Sequence, residues 1–183
     1  WSVAASPLRL VCDGSVYCAD GSSVSRLSAQ TGQTVWKQAT KLSEVRDVFV
    51  TAGSVWVGGF KPIEGKRGPS WGPYFVTQCA LADGRLLRDV EPENPGHHHR
   101  CYSSKATERY ILGGRRGTEF IDLGTGEVLW NSWVRSVCRY GVMPANGLLY
   151  VPPTPCRCQA GVQMTGFNTF AAASSEEQAA RSA

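Results

Sequence analysis

The sequence repeats itself at a distance of 94 residues. The pair Thr31-Gly32 recurs as Thr125-Gly126, and the tryptophan that follows each glycine by four positions recurs too, as Trp36 and then Trp130. Two units of about 47 residues fill this interval, and a period of about 40–50 residues with several short strands is typical of β-propeller blades. A β-sandwich built of hairpins gives no reason for such a repeat. The sequence therefore predicts an all-β propeller.

Each copy of the repeat reads as short alternating strands separated by tight turns. The clearest copies are Ser15–Trp36 and Tyr110–Trp130. In each of them the glycine of Thr-Gly supplies the positive φ that a tight turn between antiparallel strands needs. A degenerate copy between them has Asp83-Gly84 in place of Thr-Gly and lacks the tryptophan. A fourth copy includes Gly147–Val151 and Met164–Phe170.

We predict about four blades, each a four-stranded antiparallel sheet. Their approximate bounds are 1–46, 47–96, 97–137 and 138–170, and residues 171–183, where the composition changes abruptly, form a flexible tail or linker. A run of four blades leaves two open sheet edges, which aggregate unless they are paired. We therefore expect the chain to belong to a larger propeller, completed either by the rest of that propeller or by another copy of the chain.

Two segments carry a resemblance to a known family. Leu27–Trp36 (LSAQTGQTVW) and Ile121–Trp130 (IDLGTGEVLW) resemble the A-x-D-x-x-T-G-x-x-x-W docking motif of PQQ-like propellers, although Gln30 departs from it. Quinoprotein alcohol dehydrogenases and the propeller lipoprotein of outer-membrane assembly share this motif. The resemblance implies the fold but no activity, because the family contains both enzymes and scaffolds. We expect Trp36 and Trp130 to be buried between neighbouring blades.

A second resemblance covers Arg100–Phe170, with the strings KATERYIL and WVRSVCRYGVMPANGLLYVPP. This stretch is similar to the C-terminal half of a bacterial subfamily of PQQ-binding-like propeller repeat proteins. The resemblance implies that further blades accompany these four. It brings no known activity.

Composition restricts the compartment and the partners. Seven cysteines are many for a cytosolic chain of 183 residues, so we expect an extracytoplasmic protein, either periplasmic or secreted. The net charge of +4 is spread along the chain, which does not favour nucleic acid as a partner. No apolar run approaches the ~20 residues that span a bilayer. A polypeptide or a polysaccharide remains as a possible ligand.

The densest cluster of reactive side chains lies in three segments that belong to the third and fourth blades. Its candidate metal ligands are His97, His99, Cys101, Cys138, Cys156 and Cys158. Loops of successive blades converge on one face of a propeller, so these thiols and imidazoles could bind copper or zinc. Disulfides that staple long loops are the alternative, with Cys101 and Cys138 as the natural partners of Cys156 or Cys158. Either version places at least two of these four cysteines within about 7 Å of each other, measured between Cα atoms.

The remaining cysteines have structural interpretations. Cys12 and Cys18 flank a hairpin-like stretch, Asp13-Gly14-Ser15, so a bridge across the two strands is plausible. Cys79 lies in an alternating strand and is expected to be a small buried apolar side chain.

The leading functional hypothesis is a non-catalytic propeller module that scaffolds or binds outside the cytoplasm. The resemblance to quinoproteins would imply a calcium ion, an aspartate base and a disulfide of adjacent cysteines, and none of these is visible in the sequence. We therefore do not expect PQQ as a cofactor. One alternative is a redox or metal-dependent enzyme domain, quinoprotein-like or copper-containing, that uses the His/Cys loops. Another is a carbohydrate-active propeller using His99, Arg139 and Tyr140.

Overall fold

The computed structural model describes residues 1–2, 8–62, 64–65, 73–92, 103–114, 117–154 and 164–174. These residues form fifteen β-strands, and no helix occurs among them. The strands are β1 (Leu8–Cys12), β2 (Ser15–Asp20), β3 (Ser23–Ser28), β4 (Thr34–Ala39), β5 (Glu44–Thr51), β6 (Ser54–Phe60), β7 (Tyr74–Ala80), β8 (Leu86–Val90), β9 (Lys105–Ala106), β10 (Tyr110–Gly113), β11 (Thr118–Asp122), β12 (Val128–Asn131), β13 (Met143–Ala145), β14 (Leu148–Val151) and β15 (Asn168–Ala171).

The strands form four antiparallel sheets, each built from consecutive strands. Blade 1 is β1–β4, blade 2 is β5–β8, blade 3 is β9–β12 and blade 4 is β13–β15. The predicted all-β fold of propeller blades is confirmed. The described part of blade 4 contains three strands, and the other three blades contain four each. Ala171, which the sequence assigns to the tail, pairs with Leu148 as the last residue of β15.

The turn between the third and fourth strands is the same in the first three blades. Gly32, Gly84 and Gly126 have φ values of 74°, 76° and 83°, in the left-handed region that favours glycine. The backbone N–H of each donates to the carbonyl four residues before it, at 2.8–2.9 Å. Asp83-Gly84 therefore replaces Thr-Gly as predicted.

Three apolar cores lie between successive blades. The core between blades 1 and 2 includes Tyr17, Trp36 and Phe75, and that between blades 2 and 3 includes Trp56 and Ile121. The core between blades 3 and 4 is smaller, with Leu112, Val134, Val142 and Val151 as its buried members. Blades 2 and 3 thus bury both faces against their neighbours and blades 1 and 4 bury one face each, which is how blades stack in a propeller.

In blades 1 and 2 one residue of the fourth strand reaches the glycine turn of the following blade. Trp36 is only 8% exposed, and its indole Nε1–H donates to the Leu81 carbonyl at 3.2 Å. A Cβ placed on Gly84 would lie 2.5 Å from the Trp36 ring, so the ring and the turn fit only because residue 84 is glycine. Trp1 makes the same contact with Gly32, and its Nε1–H donates to the Ala29 carbonyl at 3.1 Å.

The predicted burial of Trp130 is wrong, because this residue is 56% exposed. Its place in the sequence repeat is right, four residues after Gly126, but its pairing differs by one residue. Trp36 pairs with Arg26, six residues before its turn glycine, because a β-bulge shifts the register there, whereas Trp130 pairs with Glu119, seven residues before Gly126, in a ladder without a bulge. Trp130 therefore points to the face of blade 3 opposite to the one that Phe120 and Leu129 share.

The possible bridge between Cys12 and Cys18 is not formed. The register pairs Cys12 with Ser15 and Cys18 with Arg9. Since residues 15 and 18 of one strand point to opposite faces, the two sulfur atoms lie on opposite sides of the sheet. Cys79 is fully buried as predicted, and burial raises its thiol pKa to about 11. No helix in the described part of the chain is long and apolar enough to cross a membrane.

Candidate functional site

An open groove of about 830 Å³ follows the seam between blades 3 and 4. Blade 3 lines it with Tyr110, Leu112 and Phe120, and blade 4 with the β13–β14 hairpin and the end of β15. The rings of Tyr110 and Phe120 meet edge-on with centroids 5.8 Å apart and form an aromatic wall. None of the residues that line the groove is charged. It is therefore suited to apolar side chains and to backbone amides.

Exposed apolar side chains flank this groove along β12 and the segment after it. Trp133 is 69% exposed and precedes Val134, which lines the groove. Leu129 is 56% exposed and pairs with the lining residue Phe120, so it lies on the groove side of the sheet, whereas Trp130 alternates with the lining residue Asn131 and points to the opposite face. Exposed apolar side chains beside an apolar concavity are typical of binding surfaces rather than of ordinary protein surface.

The groove is open where the other seams are filled. Between blades 1 and 2 the corresponding tryptophan lies on the glycine turn and closes the outer part of the seam. At the seam between blades 3 and 4 Trp130 does not take this place, because its register puts it on the opposite face of β12.

A charged pair stands beside the groove at its turn end. Arg109 Nε donates to Asp122 Oδ2 at 3.0 Å, and the guanidinium lies 5.0 Å from the centroid of the Tyr110 ring. The backbone N–H of Thr125 is the main cause that lowers the pKa of Asp122, and Arg109 is the second. Asp122 is thus held as a carboxylate that caps the turn. This use of the side chain agrees with the sequence interpretation of Asp122 as a position of the repeat.

A second polar cluster lies at the other end of the blades, between blades 2 and 3. The Tyr74 hydroxyl donates to Asp47 Oδ2 at 2.8 Å in a buried environment. Gly58 makes room for this contact, because a Cβ there would lie 2.2 Å from the Tyr74 oxygen. Burial is the main cause that raises the Tyr74 pKa well above its usual value, and the Asp47 charge adds to it. The phenol therefore stays protonated and acts as a donor, not as a base.

Blade 3 also contributes polar and ionisable side chains to the cluster around Tyr74. Ser104 is a hydrogen-bonding neighbour of Tyr74, and the Glu119 charge also raises the Tyr74 pKa. Thr118 donates its hydroxyl to the Val134 carbonyl at 2.8 Å, which places the segment carrying Arg135 beside the strand carrying Glu119. Glu119 and Arg135 are each only 2% exposed. Groups buried this deeply are out of reach of a substrate, and we interpret the cluster as a polar lock between blades.

Replacing Tyr74 with phenylalanine tests this lock. The substitution removes the hydroxyl donor and leaves the Asp47 carboxylate with one hydrogen bond fewer, so we expect it to lower the free energy of unfolding by about 1–2 kcal/mol. Tyr140→Phe removes the same hydroxyl from an exposed residue and is the matched control, with an expected change within about 0.5 kcal/mol. Urea denaturation measures both. Equal values for the two variants would show that the buried cluster does not stabilise the seam.

The predicted metal or disulfide cluster lies mostly outside the described residues. His97, His99, Cys101, Cys156 and Cys158 are all beyond them, and only Cys138 is described, as a half-buried residue. One contact bears on the prediction. The Ser103 N–H donates to the Arg139 carbonyl at 3.4 Å, so Ser103 lies beside the segment that carries Cys138. Their pairing stays a prediction.

Among the residues that the structure describes, no group of three or more His, Cys, Asp or Glu side chains could hold a metal ion. Arg139 and Tyr140, the described members of the carbohydrate hypothesis, lie between β12 and β13, and Tyr140 is exposed. Neither residue lines the groove.

Comparison with known proteins supports the fold alone. No family model matches the sequence, and no curated protein matches it. Solved structures do match. The chain is similar to BamB from Moraxella catarrhalis (TM-score 0.51, 15% identity), with 75% of this chain and 43% of BamB covered. It is similar to the computationally designed Ika4 protein (TM-score 0.59, 12% identity), with 90% of this chain and 89% of Ika4 covered.

The Pan2 WD40 domain of Neurospora crassa is also similar, with a TM-score of 0.56, 12% identity, and 88% of this chain and 45% of that chain covered. The chain thus spans less than half the length of BamB and of the Pan2 domain. With identities this low, the likeness shows a β-propeller fold.

Proposed function

We propose that the chain is a non-catalytic propeller module of the PQQ-like type that acts outside the cytoplasm and binds a polypeptide segment in the groove between blades 3 and 4. The observation that carries this proposal is the apolar groove with the exposed side chains of Leu129 and Trp133 beside it. Tryptophan is enriched among the residues that contribute most to protein–protein binding. The low-identity similarity to BamB and to a WD40 domain is consistent with a scaffold.

The composition of the groove argues against the carbohydrate-active alternative. Cleavage of a glycosidic bond generally needs a pair of carboxylates on the two sides of the bond. The lining residues include no Asp, Glu or His. Apolar walls with three short polar side chains, Thr107, Asn131 and Asn146, fit an extended peptide better than a reacting sugar.

A photo-crosslinking experiment tests the groove. Benzoylphenylalanine introduced at Trp133 should crosslink to a discrete protein in the native host, and Leu129→Asp in the same chain, which places a charge on the groove side of β12, should abolish the crosslink. The control is the same photo-reactive residue at Leu87, which is exposed on the fourth strand of blade 2. Equal crosslinking at both positions, or an adduct to glycan instead of protein, would contradict the proposal.

A metal analysis read beside a thiol count tests the alternative of a metal or redox enzyme. For a binding module from an oxidising compartment we expect no stoichiometric copper or zinc and fewer than seven reactive thiols. Cys79 should react only after unfolding, because it is fully buried. One copper or zinc ion per chain, lost together with activity when Cys138 is replaced by Ser, would favour the enzyme hypothesis instead.

A further inference from the structure

The outer face of blade 4 has the composition of a face that packs against another blade. The register pairs Met143 with Tyr150 and Ala145 with Leu148, so these four side chains share one face of the sheet. Phe167 lies beside them, with its ring centroid 6.4 Å from that of Tyr150. Met143 is 52% exposed and Phe167 is 63% exposed. The face is apolar and open.

Blade 1 shows what such a face does inside the chain. There the register pairs Leu10 with Tyr17 and Cys12 with Ser15, at the positions that Met143, Tyr150, Ala145 and Leu148 occupy in blade 4. Tyr17 is 2% exposed, and it packs against blade 2 with its ring centroid 6.2 Å from that of Trp36. The open face of blade 4 therefore resembles the face of blade 1 that packs against blade 2.

The opposite face of blade 1 resembles the face that blade 2 contributes to the seam between blades 1 and 2. Val11 pairs with Val16 there, as Val50 pairs with Val55 in blade 2. Val55 is fully buried in the core between blades 1 and 2, whereas Val11 is 71% exposed. The open face of blade 1 therefore corresponds to the blade 2 side of that seam, which contains Val55. The open face of blade 4 corresponds to the blade 1 side, which contains Tyr17.

We propose that blade 4 of one copy of this chain packs on blade 1 of a second copy and continues the seam that joins blades 1 and 2. The occupant is a second copy because the two open faces are complementary: one resembles the blade 1 side of the seam between blades 1 and 2, and the other resembles the blade 2 side. Two copies that make this contact in both directions are related by a two-fold axis and close a ring of eight blades. Ala145 and Leu148 border both this face and the groove, but Val11, Met143, Tyr150 and Phe167 do not line the groove. Variants at Val11 and Met143 therefore test the contact separately from the proposed function.

The test is the oligomeric state of the full chain in solution, measured by sedimentation over a range of concentrations. We expect the wild-type chain to sediment as two copies of 19.8 kDa. Val11→Asp and Met143→Asp each place an unpaired charge in the seam, and each should raise the dimer dissociation constant at least about tenfold. Leu129→Asp places the same charge on an exposed residue of blade 3, away from both faces, and should leave the dimer unchanged.

A mixture of the two variants distinguishes this arrangement from a face-to-face dimer. In a 1:1 mixture of Val11→Asp and Met143→Asp chains, blade 4 of the first and blade 1 of the second are both intact, so one seam forms and dimers return. Thermal unfolding of each variant establishes that it is folded. A wild-type chain that is monomeric at every concentration, or a dimer that neither variant weakens, would overturn the proposal. So would a dimer weakened by Met143→Asp alone.

Discussion

Replacing Trp36 with alanine should lower the free energy of unfolding by about 3–5 kcal/mol, the range for removing a large aromatic side chain from a core. The ring fills the space above the Gly84 turn and belongs to the core between blades 1 and 2. Its loss also removes the hydrogen bond to the Leu81 carbonyl. Equilibrium unfolding in urea measures the change, provided that the slope against urea concentration stays constant.

Trp130 is the matched control for Trp36. The two tryptophans hold the same position in the repeat, four residues after a left-handed glycine, but one is 8% exposed and the other 56%. We expect Trp130→Ala to change the free energy of unfolding by no more than about 0.5 kcal/mol, as for an exposed side chain. A cost near that of Trp36→Ala would mean that Trp130 is covered in solution.

The turn pattern of the repeat could be predicted from the sequence because it is local. A glycine with positive φ, a short polar residue before it and an aromatic residue after it all lie within one turn and one strand. Asp83-Gly84 was recognised as a turn even without its tryptophan, and its geometry matches that of the two Thr-Gly turns. The burial of Trp36 followed from the same pattern.

The exposure of Trp130 could not be predicted in this way, because it depends on a β-bulge that is present between β3 and β4 and absent between β11 and β12. The same limit applies to the polar cluster. Asp47 and Tyr74 are 27 residues apart, and their contact depends on the space left by Gly58. The burial of Glu119 likewise arises from packing between blades and not from the local sequence.

The docking residue of blade 2 was also missed, although the repeat contains the information. Four residues after Gly84, where the other blades have tryptophan, the sequence has Arg88. Its guanidinium donates from Nη1 to the Gly124 carbonyl at 3.2 Å and from Nη2 to the Leu123 carbonyl. Leu123 stands three residues before Gly126, as Leu81 stands before Gly84. Arg88 therefore bonds to the carbonyl of Leu123 in the seam between blades 2 and 3, the position equivalent to that of Leu81, to which the indole of Trp36 donates.

Arg88→Ala should lower the free energy of unfolding by about 2–3 kcal/mol. Hydrogen bonds made by charged groups are worth about 1.5–3 kcal/mol, and the substitution removes those that Arg88 donates to the Leu123 and Gly124 carbonyls. The guanidinium also lies 5.4 Å from the ring centroid of Trp56, which is fully buried, and its Nε donates to Gln78 at 2.9 Å. Lysine carries the same charge but cannot bridge two carbonyls with a planar fork, so Arg88→Lys should recover only part of the loss.

Arg88→Trp distinguishes a requirement for the guanidinium from a requirement for any side chain that covers the turn. A tryptophan there would restore the repeat, with its Nε1–H directed to the Leu123 carbonyl as that of Trp36 is to Leu81. We expect this variant to be at least about 1 kcal/mol more stable than Arg88→Ala in urea denaturation. Arg85→Ala, which removes the same charge from an exposed residue of the same turn, should stay within about 0.5 kcal/mol of wild type. If Arg88→Trp is as unstable as Arg88→Ala, the seam between blades 2 and 3 depends on the charge and the buried Trp56 beneath it, and the equivalence of Arg88 to the docking tryptophans is wrong.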